Sequence, residues 1–365
     1  MRLLFITDSM VIYGGIERVL VDKMNWLVEQ TNYDVYLLTV DQSNEKVVFT
    51  LNKKIIYNDL DIRFYRQYNV PIWRRFLFNI GLHRLFRQRL EDKLSEILPD
   101  IIICIRIDYI RDIIKVKKAI PLIFESHSSC LSTCFDHDGW LRKVRIHYQK
   151  MAIKKVNMVV ALTQGDSVEW KKITNNVVVI PNVIHLNVIG KHDNYSSRSI
   201  IFVGRDTEQK DLDSLMRIWK LVYQKHPEYI LHVYGDTYRN AEGLVVHRPT
   251  CRMDDVYMNA SVLLMTSRYE PFGLVILEAM SYGVPVVAFD CPYGPPEIIA
   301  DGVNGFIIKN RNIKEFAHRV CQLIEDENLC VEMGKRGVQS SQRYHSELIM
   351  PQWIKLFNMI VGDSN

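Results

Sequence analysis

Short apolar runs alternate with longer amphipathic segments through both halves of this chain. A short apolar run predicts a buried strand, and an apolar period of 3.6 residues predicts a helix packed against it. Regular alternation of the two is typical of parallel sheets built from βαβ units. The predicted strands are 3–7, 35–39, 101–105, 121–124, 158–162 and 177–180 in the first half, and 200–203, 230–234, 262–265, 286–288 and 306–308 in the second.

The chain is long enough for two such sheets. Its 365 residues exceed a typical single domain, and 48% of them are hydrophobic, which suffices for two substantial cores. Residues 184–198 are polar and without periodicity, which makes them the best linker candidate. We therefore predict an α/β protein with two doubly wound, Rossmann-like domains, 1–184 and 185–345, facing each other across a central cleft. A C-terminal helix at about 346–365 is expected to pack back onto the first domain.

Charge is divided unevenly between the halves. Residues 1–185 contain 27 Lys and Arg against 20 Asp and Glu, a net +7, whereas 186–365 contain 19 against 22, a net −3. Much of the excess lies between Arg63 and Lys93, where basic residues are interleaved with aromatic ones. This mixture indicates contact with an anionic membrane, a solvated helix packed on its own domain, or nucleic acid. Nucleic acid is disfavoured because no recognisable nucleic-acid module accompanies the charge.

Cysteine content and hydropathy bear on the compartment. Seven scattered cysteines without a C-x-x-C pair fit reduced thiols. No apolar stretch approaches the length of about 20 residues that a spanning helix needs. The N-terminal apolar run ends at Asp8 without a signal-peptide pattern. We therefore expect a cytoplasmic protein, peripheral at the inner face of the cell membrane.

Four possible zinc ligands lie close together in the first half: His127, Cys130, Cys134 and His137. Their spacing matches no common zinc finger, so a metal site is not expected there.

Two carboxylates flank a predicted helix N-terminus in the second half. Glu270 and Gly273 follow the predicted strand at 262–265. A helix then opens at Leu274 and carries Glu278 one turn in. The free backbone N–H groups of such a turn favour a phosphate. Because two carboxylates would repel that phosphate, we expect them to accept hydrogen bonds from neutral hydroxyls of a sugar or ribose. An ordinary strand-to-helix turn with two solvated glutamates is the alternative.

Two further turns offer groups for an anionic ligand. Gly14 and Gly15 follow the first strand and let a backbone approach a ligand closely, although a simple tight turn is the alternative. Gly204, Arg205 and Lys210 follow the first strand of the second domain. Arg as a fork and Lys as a point charge could clamp a diphosphate without a metal, although charges after a strand are common.

Taken in chain order, these motifs resemble the large retaining glycosyltransferase family 4 of GT-B fold. The match runs nearly the full length, is strongest from 200 to 308, and is weaker through 40–120, where such families bind different acceptors. It rests on Gly14-Gly15, Gly204-Arg205 with Lys210, Glu270 and Glu278, the Gly-Val-Pro-Val-Val-Ala run at 283–288, and the segment 294–305. The segment 290–297 is similar to a subgroup of bacterial enzymes that build capsule, O-antigen and related surface polysaccharides.

The resemblance implies catalytic roles for four residues. Arg205 and Lys210 would stabilise the departing nucleoside diphosphate. Glu270 would hold hydroxyls of the donor sugar. His127 would lie near the sugar, with a loop or core histidine as the alternative.

The resemblance also implies the donor-binding residues. Gly14, Gly15 and Gly204 would face the diphosphate, with the backbone of Phe272, Gly273, Leu274 and Val275 around the phosphate. Glu278 would hold the ribose. The turns that contain Gly235 and Arg252 would form the base pocket.

One departure from the family pattern concerns the basic turn. The family usually continues with Lys-Gly, whereas here Asp211 follows Lys210. We therefore rank Lys210 below Arg205 as a site residue, because its side chain could be aimed differently.

The implied function is retaining transfer of a hexose or N-acetylhexosamine from a nucleotide diphosphate sugar, UDP by resemblance. The acceptor would be a lipid-linked or growing glycan, and no cofactor, divalent metal or nucleic acid is expected. A nucleotide-sugar 2-epimerase of the same fold and a catalytically silent scaffold of a polysaccharide assembly complex are the alternatives.

Overall fold

A computed structural model describes residues 1–134, 139–184 and 197–362, the side chain of Leu141 excepted. The chain divides into two compact units. Unit 1 comprises residues 1–180 together with 350–365, and unit 2 comprises 181–349. Most of the predicted linker, 185–196, lies outside the described residues.

Unit 1 is built on a parallel sheet in the order β3-β2-β1-β4-β5-β6-β7. Its strands are β1 Arg2–Thr7, β2 Asp34–Thr39, β3 Ile56–Asp59, β4 Ile101–Cys104, β5 Leu122–Glu125, β6 Met158–Ala161 and β7 Val177–Val179. Its helices are α1 Gly15–Gln30, α2 Ile72–Ile97, α3 Ile107–Val116, α4 Cys130–Cys134, α5 Trp140–Ile153 and α6 Gln164–Lys171, with a 3₁₀ turn at Phe64–Asn69. Apolar side chains of the central strands are fully buried because helices cover the sheet.

Unit 2 is built on a parallel sheet in the order β10-β9-β8-β11-β12-β13. Its strands are β8 Ser199–Val203, β9 Ile230–Tyr234, β10 Leu244–His247, β11 Val262–Met265, β12 Val286–Phe289 and β13 Phe306–Ile308. Its helices are α7 Leu212–Tyr223, α8 Met253–Met258, α9 Leu274–Ser281, α10 Gly294–Ile298, α11 Ile313–Glu325 and α12 Glu327–Ser341, with 3₁₀ turns at Lys309–Arg311 and Gln342–Tyr344. The last helix, α13 Ser346–Gly362, begins in unit 2 and ends in unit 1.

The predicted fold class, α/β with two Rossmann-like parallel-sheet domains, is confirmed. The sequence prediction missed two strands, β3 and β10, and each forms one edge of its sheet. Their side chains are exposed or half-buried, so neither strand carries the continuous apolar run that marks a central strand. Along the described residues, none of the helices has both the length and the hydropathy needed to cross a bilayer.

Candidate functional site

Most of the predicted site residues follow strands of unit 2. Gly204 and Arg205 come after β8, Gly235 after β9, Arg252 after β10 and Glu270 after β11. All pairs in this sheet are parallel, so these residues share the carboxyl edge, where ligands of open α/β sheets bind.

Lys210 and Glu270 contact each other at this edge. The Lys210 Nζ lies 2.6 Å from Glu270 Oε2, and the two side chains are 20% and 13% exposed. The hydroxyl of Thr266 donates to the Lys210 carbonyl at 2.8 Å and joins the same two loops. The aliphatic part of Lys210 packs beside Gly204, where an added Cβ would lie 3.3 Å from it. Arg205, by contrast, has an exposed side chain.

Asp211, the departure from the family pattern, has a positive φ of 49° and is the N-cap of α7. This is the left-handed conformation that favours glycine, which the family usually has after the lysine. The carboxylate accepts hydrogen bonds from the backbone N–H and the hydroxyl of Ser214. Two guanidinium groups also contact its Oδ2, Arg311 at 2.6 Å and Arg268 at 3.1 Å. Asp211 therefore adopts the left-handed backbone conformation that a glycine would have, and its hydrogen bonds fix the end of the turn that carries Lys210.

Burial alone would raise the pKa of Asp211. The hydrogen bonds from Ser214 and the charges of Arg268 and Arg311 outweigh burial and lower the pKa of this carboxyl below its ordinary value.

The loop that joins Glu270 to α9 is held by the segment after β12. The amide of Gly294 donates to the Glu270 carbonyl at 2.9 Å. A Cβ on Gly294 would lie 1.8 Å from the carbonyl oxygen of Phe272, so only glycine permits this approach. The Phe272 ring is buried and packs edge-on against Tyr344, with 5.7 Å between the ring centroids.

Helix α9 opens toward the same edge. Gly273 is its N-cap with a φ of 99°, which a residue with a side chain adopts at a cost. The Ile276 amide is the donor of a hydrogen bond to the Gly273 carbonyl. The amides of Leu274 and Val275 precede that bond in the first turn, where backbone N–H groups attract an anion.

Glu278 is buried one turn into α9. Its Oε2 accepts a hydrogen bond of 2.6 Å from the hydroxyl of Tyr257, whose ring stacks on Tyr282 at 5.7 Å. Sequence reasoning missed Tyr257, since a tyrosine in a short amphipathic helix carries no local signal of such a contact. The bond orients one carboxylate oxygen of Glu278.

A pocket of about 380 Å³ lies beside the end of β9 and β10. The rings of Tyr234 and His247 stack there at 4.5 Å and 11° between their planes. Burial raises the pKa of Tyr234 and lowers the pKa of His247, which favours neutral rings. The lining residues are Tyr234, His247, Arg248, Thr250, Arg252, Asp255 and Val256. His247 was missed because its strand was not predicted.

Gly235 brings two of these loops together. A Cβ at this position would lie 2.1 Å from the carbonyl oxygen of Gly204, so the loops after β8 and β9 could not approach as they do with any other residue.

Gly14, Gly15 and His127 lie in unit 1. Gly14 is the N-cap of α1 with a φ of −115°, which any residue can adopt. The backbone conformation at Gly14 therefore does not itself require glycine.

His127 belongs to a buried charged cluster of unit 1. Its Nε2 lies 3.1 Å from Glu125 Oε1, and the Lys23 ammonium donates to the same oxygen. Lys23 lies over the ring of Trp353, 3.8 Å from its centroid. Burial alone would raise the pKa of Glu125, but Lys23 and His127 outweigh it and lower the pKa to about 2. This network, with Trp353 contributed by α13, holds the loop that carries His127.

Among the described residues, the possible metal ligands His127, Cys130 and Cys134 do not converge on one point, and His137 lies outside those residues. His226, Cys321 and Glu325 are the group whose ligand atoms lie within 4.8 Å of one another. Glu325 is exposed and already shares a hydrogen bond of 2.9 Å with His226, and these residues lie at the ends of α11 and α7, not after the strands that carry the predicted site residues.

Known proteins are similar to this chain in sequence and in fold. Residues 190–340 match the family described as glycosyl transferases group 1. The chain is 26% identical to an uncharacterized glycosyltransferase of Haemophilus influenzae over 93% of this chain and 95% of that protein. It is 30% identical to the amylovoran biosynthesis glycosyltransferase AmsD of Erwinia amylovora, over 62% of this chain and 69% of that protein.

The fold is similar to the crystal structure of an S. aureus TarM mutant in complex with fondaparinux, α-GlcNAc-glycerol and UDP. The TM-score is 0.81 at 15% identity, and the match covers 98% of this chain and 99% of TarM. At this identity the likeness establishes the two-domain α/β architecture.

Proposed function

Because this chain belongs to the group 1 glycosyl transferases, we propose that it moves a hexose or N-acetylhexosamine from a UDP-sugar to a growing or lipid-linked glycan of bacterial surface polysaccharide. The relation to AmsD supports polysaccharide biosynthesis, and the complex of TarM with UDP supports the nucleotide. The proposed stereochemical outcome is retention.

The observation that carries the proposal is the Lys210–Glu270 pair at the carboxyl edge of unit 2. The pair combines a cation for a diphosphate with a carboxylate for sugar hydroxyls, and both side chains are partly exposed. The N-terminus of α9 adds backbone N–H groups beside Glu270. A donor that carries both a diphosphate and a sugar matches this combination.

The proposed mechanism depends on stabilisation of charge at the leaving group. Negative charge develops on the nucleoside diphosphate as the glycosidic bond breaks, and Lys210, Arg205 and the first-turn amides of α9 would stabilise it. Glu270 would orient the sugar and Glu278 the ribose. The acceptor hydroxyl would enter on the leaving-group face, with a diphosphate oxygen helping to take its proton. These groups would act without a divalent metal.

The base would bind in the pocket beside Tyr234 and His247. Flat, neutral rings at this place suit stacking with a pyrimidine. Arg252 and Thr250 supply polar groups at the rim. Gly235 keeps the pocket close to the turn that carries Arg205.

We propose that the protein contacts an anionic membrane surface. The start of α2 exposes Ile72, Trp73, Phe76 and Leu77, each at least 71% accessible. Arg74 and Arg75 lie among them. Exposed apolar and aromatic side chains interleaved with arginines suit insertion between anionic headgroups. The solvated-helix alternative applies to the later turns, where Phe86 and Leu90 are buried in the core.

A binding and product assay tests the proposed function. Thermal shifts are measured with UDP, GDP, ADP, dTDP and their common sugars, with and without EDTA. Stabilisation by UDP and its sugars that EDTA does not change supports the proposal. Stabilisation by another nucleotide instead of UDP would identify that nucleotide as the one carried by the donor. Loss of the thermal shift in EDTA would contradict metal independence.

Product analysis separates the alternatives. Transfer to an acceptor, with the anomeric configuration read from the sugar proton coupling, is expected. Release of UDP with an epimerised free sugar would instead identify the 2-epimerase, and nucleotide binding without any product would identify the silent scaffold.

A further inference from the structure

A second polar cavity lies within unit 1, at the carboxyl edge of its sheet. It occupies about 250 Å³, enough for several water molecules of about 30 Å³ each. Its walls come from the segments that follow β4 and β5 and from one face of α5. Its polar and charged lining includes Arg106, Asp108, His127, Ser128, Arg142, Arg145 and Gln149.

Basic side chains dominate the cavity. Three guanidinium groups, from Arg106, Arg142 and Arg145, line it together with one carboxylate, that of Asp108. Arg106 and Arg145 both approach this carboxylate, so these two cations exceed it by one charge. A cavity of this sign at a sheet edge concentrates anions.

Asp108 contacts two of these arginines, Arg145 and Arg106. Its Oδ1 accepts hydrogen bonds from Arg145 and, at 2.9 Å, from Gln149. Arg106 lies 3.9 Å from its other oxygen. The Asp108 carboxylate thus lies near two guanidinium groups from different elements, that of Arg145 in α5 and that of Arg106 at the start of α3. The side chains of Arg106 and Arg145 are 48% and 65% exposed to solvent.

We propose that this cavity binds a diphosphate group of the acceptor. Arginine forks match phosphoryl oxygens in bidentate geometry, and the two partly exposed guanidinium groups of Arg106 and Arg145 suit the two phosphoryl groups of a diphosphate diester. The inference rests on the proposed glycosyl transfer, because it assigns the cavity of unit 1 to the acceptor while the donor diphosphate binds in unit 2. A lipid-linked saccharide and a free diphosphate share this chemistry.

Isothermal titration of the full chain in saturating UDP tests the assignment. The probes are inorganic pyrophosphate, geranyl diphosphate and geraniol. The test variant is the double substitution Arg106→Ala/Arg145→Ala. The matched control is Arg111→Ala, whose guanidinium lies over the Tyr148 ring and does not line the cavity. Circular dichroism checks that each variant is folded, as expected for exposed side chains.

Wild type and Arg111→Ala should bind geranyl diphosphate, and the double variant should bind it about tenfold or more weakly. Tighter binding of geranyl diphosphate than of pyrophosphate would identify a lipid-linked source, and equal binding a free diphosphate. Equal affinity in wild type and the double variant, or geraniol binding as tightly as its diphosphate, would overturn the proposal.

The affinity for UDP distinguishes failure of the cavity assignment from failure of the proposed function. Unchanged UDP binding in the double variant is expected, since the donor residues lie in unit 2. Weaker UDP binding would assign the cavity to the donor and refute the acceptor role. Absence of UDP binding in wild type would refute the proposed donor, whereas the comparison of probe affinity between variants would still decide on the cavity.

Discussion

The Lys210 ammonium lies 2.6 Å from Oε2 of Glu270, sixty positions further along the chain. The contact joins the turn after β8 to the turn after β11. A diphosphate at this edge would give Lys210 a second anion, and Glu270 would then have more capacity to accept hydrogen bonds from sugar hydroxyls. The pair is therefore a candidate for an arrangement that changes partners when the donor binds.

Replacing Lys210 should impair transfer more than stability. We expect Lys210→Ala to lower kcat by about 100- to 1,000-fold, the usual loss when a group that stabilises developing charge is removed. The free energy of unfolding should fall by about 1–3 kcal/mol, because Glu270 is only 13% exposed and loses its hydrogen-bonded cation. Steady-state kinetics and urea unfolding measure the two effects. Lys220→Ala, an exposed lysine of α7, is the control, and wild-type kcat in Lys210→Ala would contradict the assigned role.

Asp211 should tolerate glycine better than alanine. Asp211→Ala removes the N-cap, worth about 0.5–2 kcal/mol, and the contacts with Arg268 and Arg311, while it retains a Cβ in a left-handed conformation. Asp211→Gly loses the same contacts but relieves the strain of that conformation, about 1–2 kcal/mol. We therefore expect the melting temperatures to rank wild type, then Asp211→Gly, then Asp211→Ala. Asp213→Ala, with 74% of its side chain exposed, should melt close to wild type, and an alanine variant at 211 as stable as the glycine variant would refute the argument.

Glu278 should discriminate a nucleoside diphosphate from diphosphate alone. Glu278→Gln is expected to weaken UDP binding by about tenfold, the effect of one hydrogen bond to a charged group, and to leave pyrophosphate binding unchanged. Tyr257→Phe, which removes the hydroxyl that orients Glu278, should change UDP affinity in the same direction by a smaller factor. Calorimetric titration with both ligands provides the readout. Equal losses for UDP and pyrophosphate would place Glu278 at the phosphates instead of the ribose.

The buried pair of Lys23 and Glu125 should make stability depend on pH at the acid end. The folded-state pKa of Glu125 is about 2, below its ordinary value of 4.5. Its contribution is therefore fully present above pH 4.5 and is lost as the pH falls toward 2. Thermal unfolding between those pH values measures the loss.

Breaking the Lys23–Glu125 pair on one side should be costly. Lys23→Met leaves a buried carboxylate without its cation, which costs about 3–5 kcal/mol near neutral pH. In the Lys23→Met variant, burial without the cation should raise the pKa of Glu125. This variant should therefore gain stability as the pH falls and the carboxyl takes up a proton. The double variant Lys23→Met/Glu125→Gln should recover part of the loss. Additive losses in the double variant would show that the two groups are not coupled.

The exposed start of α2 should govern membrane binding. Trp73→Ser/Phe76→Ser removes two aromatic side chains that are 71% and 75% exposed. We expect this variant to co-sediment less with vesicles that contain anionic lipid, by about tenfold in partition coefficient, and to unfold at an unchanged temperature. Tyr238→Ser, a fully exposed aromatic residue of unit 2, is the control. Undiminished co-sedimentation of the double variant would refute the proposed membrane face.

Fold class follows from local patterns in the sequence. Central strands such as β4 and β12 are buried on both faces, so they appear as uninterrupted apolar runs, and their predicted bounds lie close to the observed ones. The edge strands β3 and β10 expose part of each face and have no such run. Their existence depends on a neighbouring strand that supplies hydrogen-bond partners, and a single segment does not encode this.

Candidate site residues are identified by residue type and by their place after a strand. Those signals are local, so the sequence alone is enough to single out Glu270, Gly273 and Glu278. Their assigned roles remain predictions.

Contacts between distant segments were decided only by the tertiary structure. The sequence by itself determined the order of strands and helices and the chemistry available at their ends, because periodicity and turn residues act over a few positions. The fold decided that Lys210 contacts Glu270, that Tyr257 orients Glu278 and that Asp211 takes a glycine-like conformation. These contacts depend on which loops a parallel sheet brings to one edge, and that is settled by packing of the whole unit.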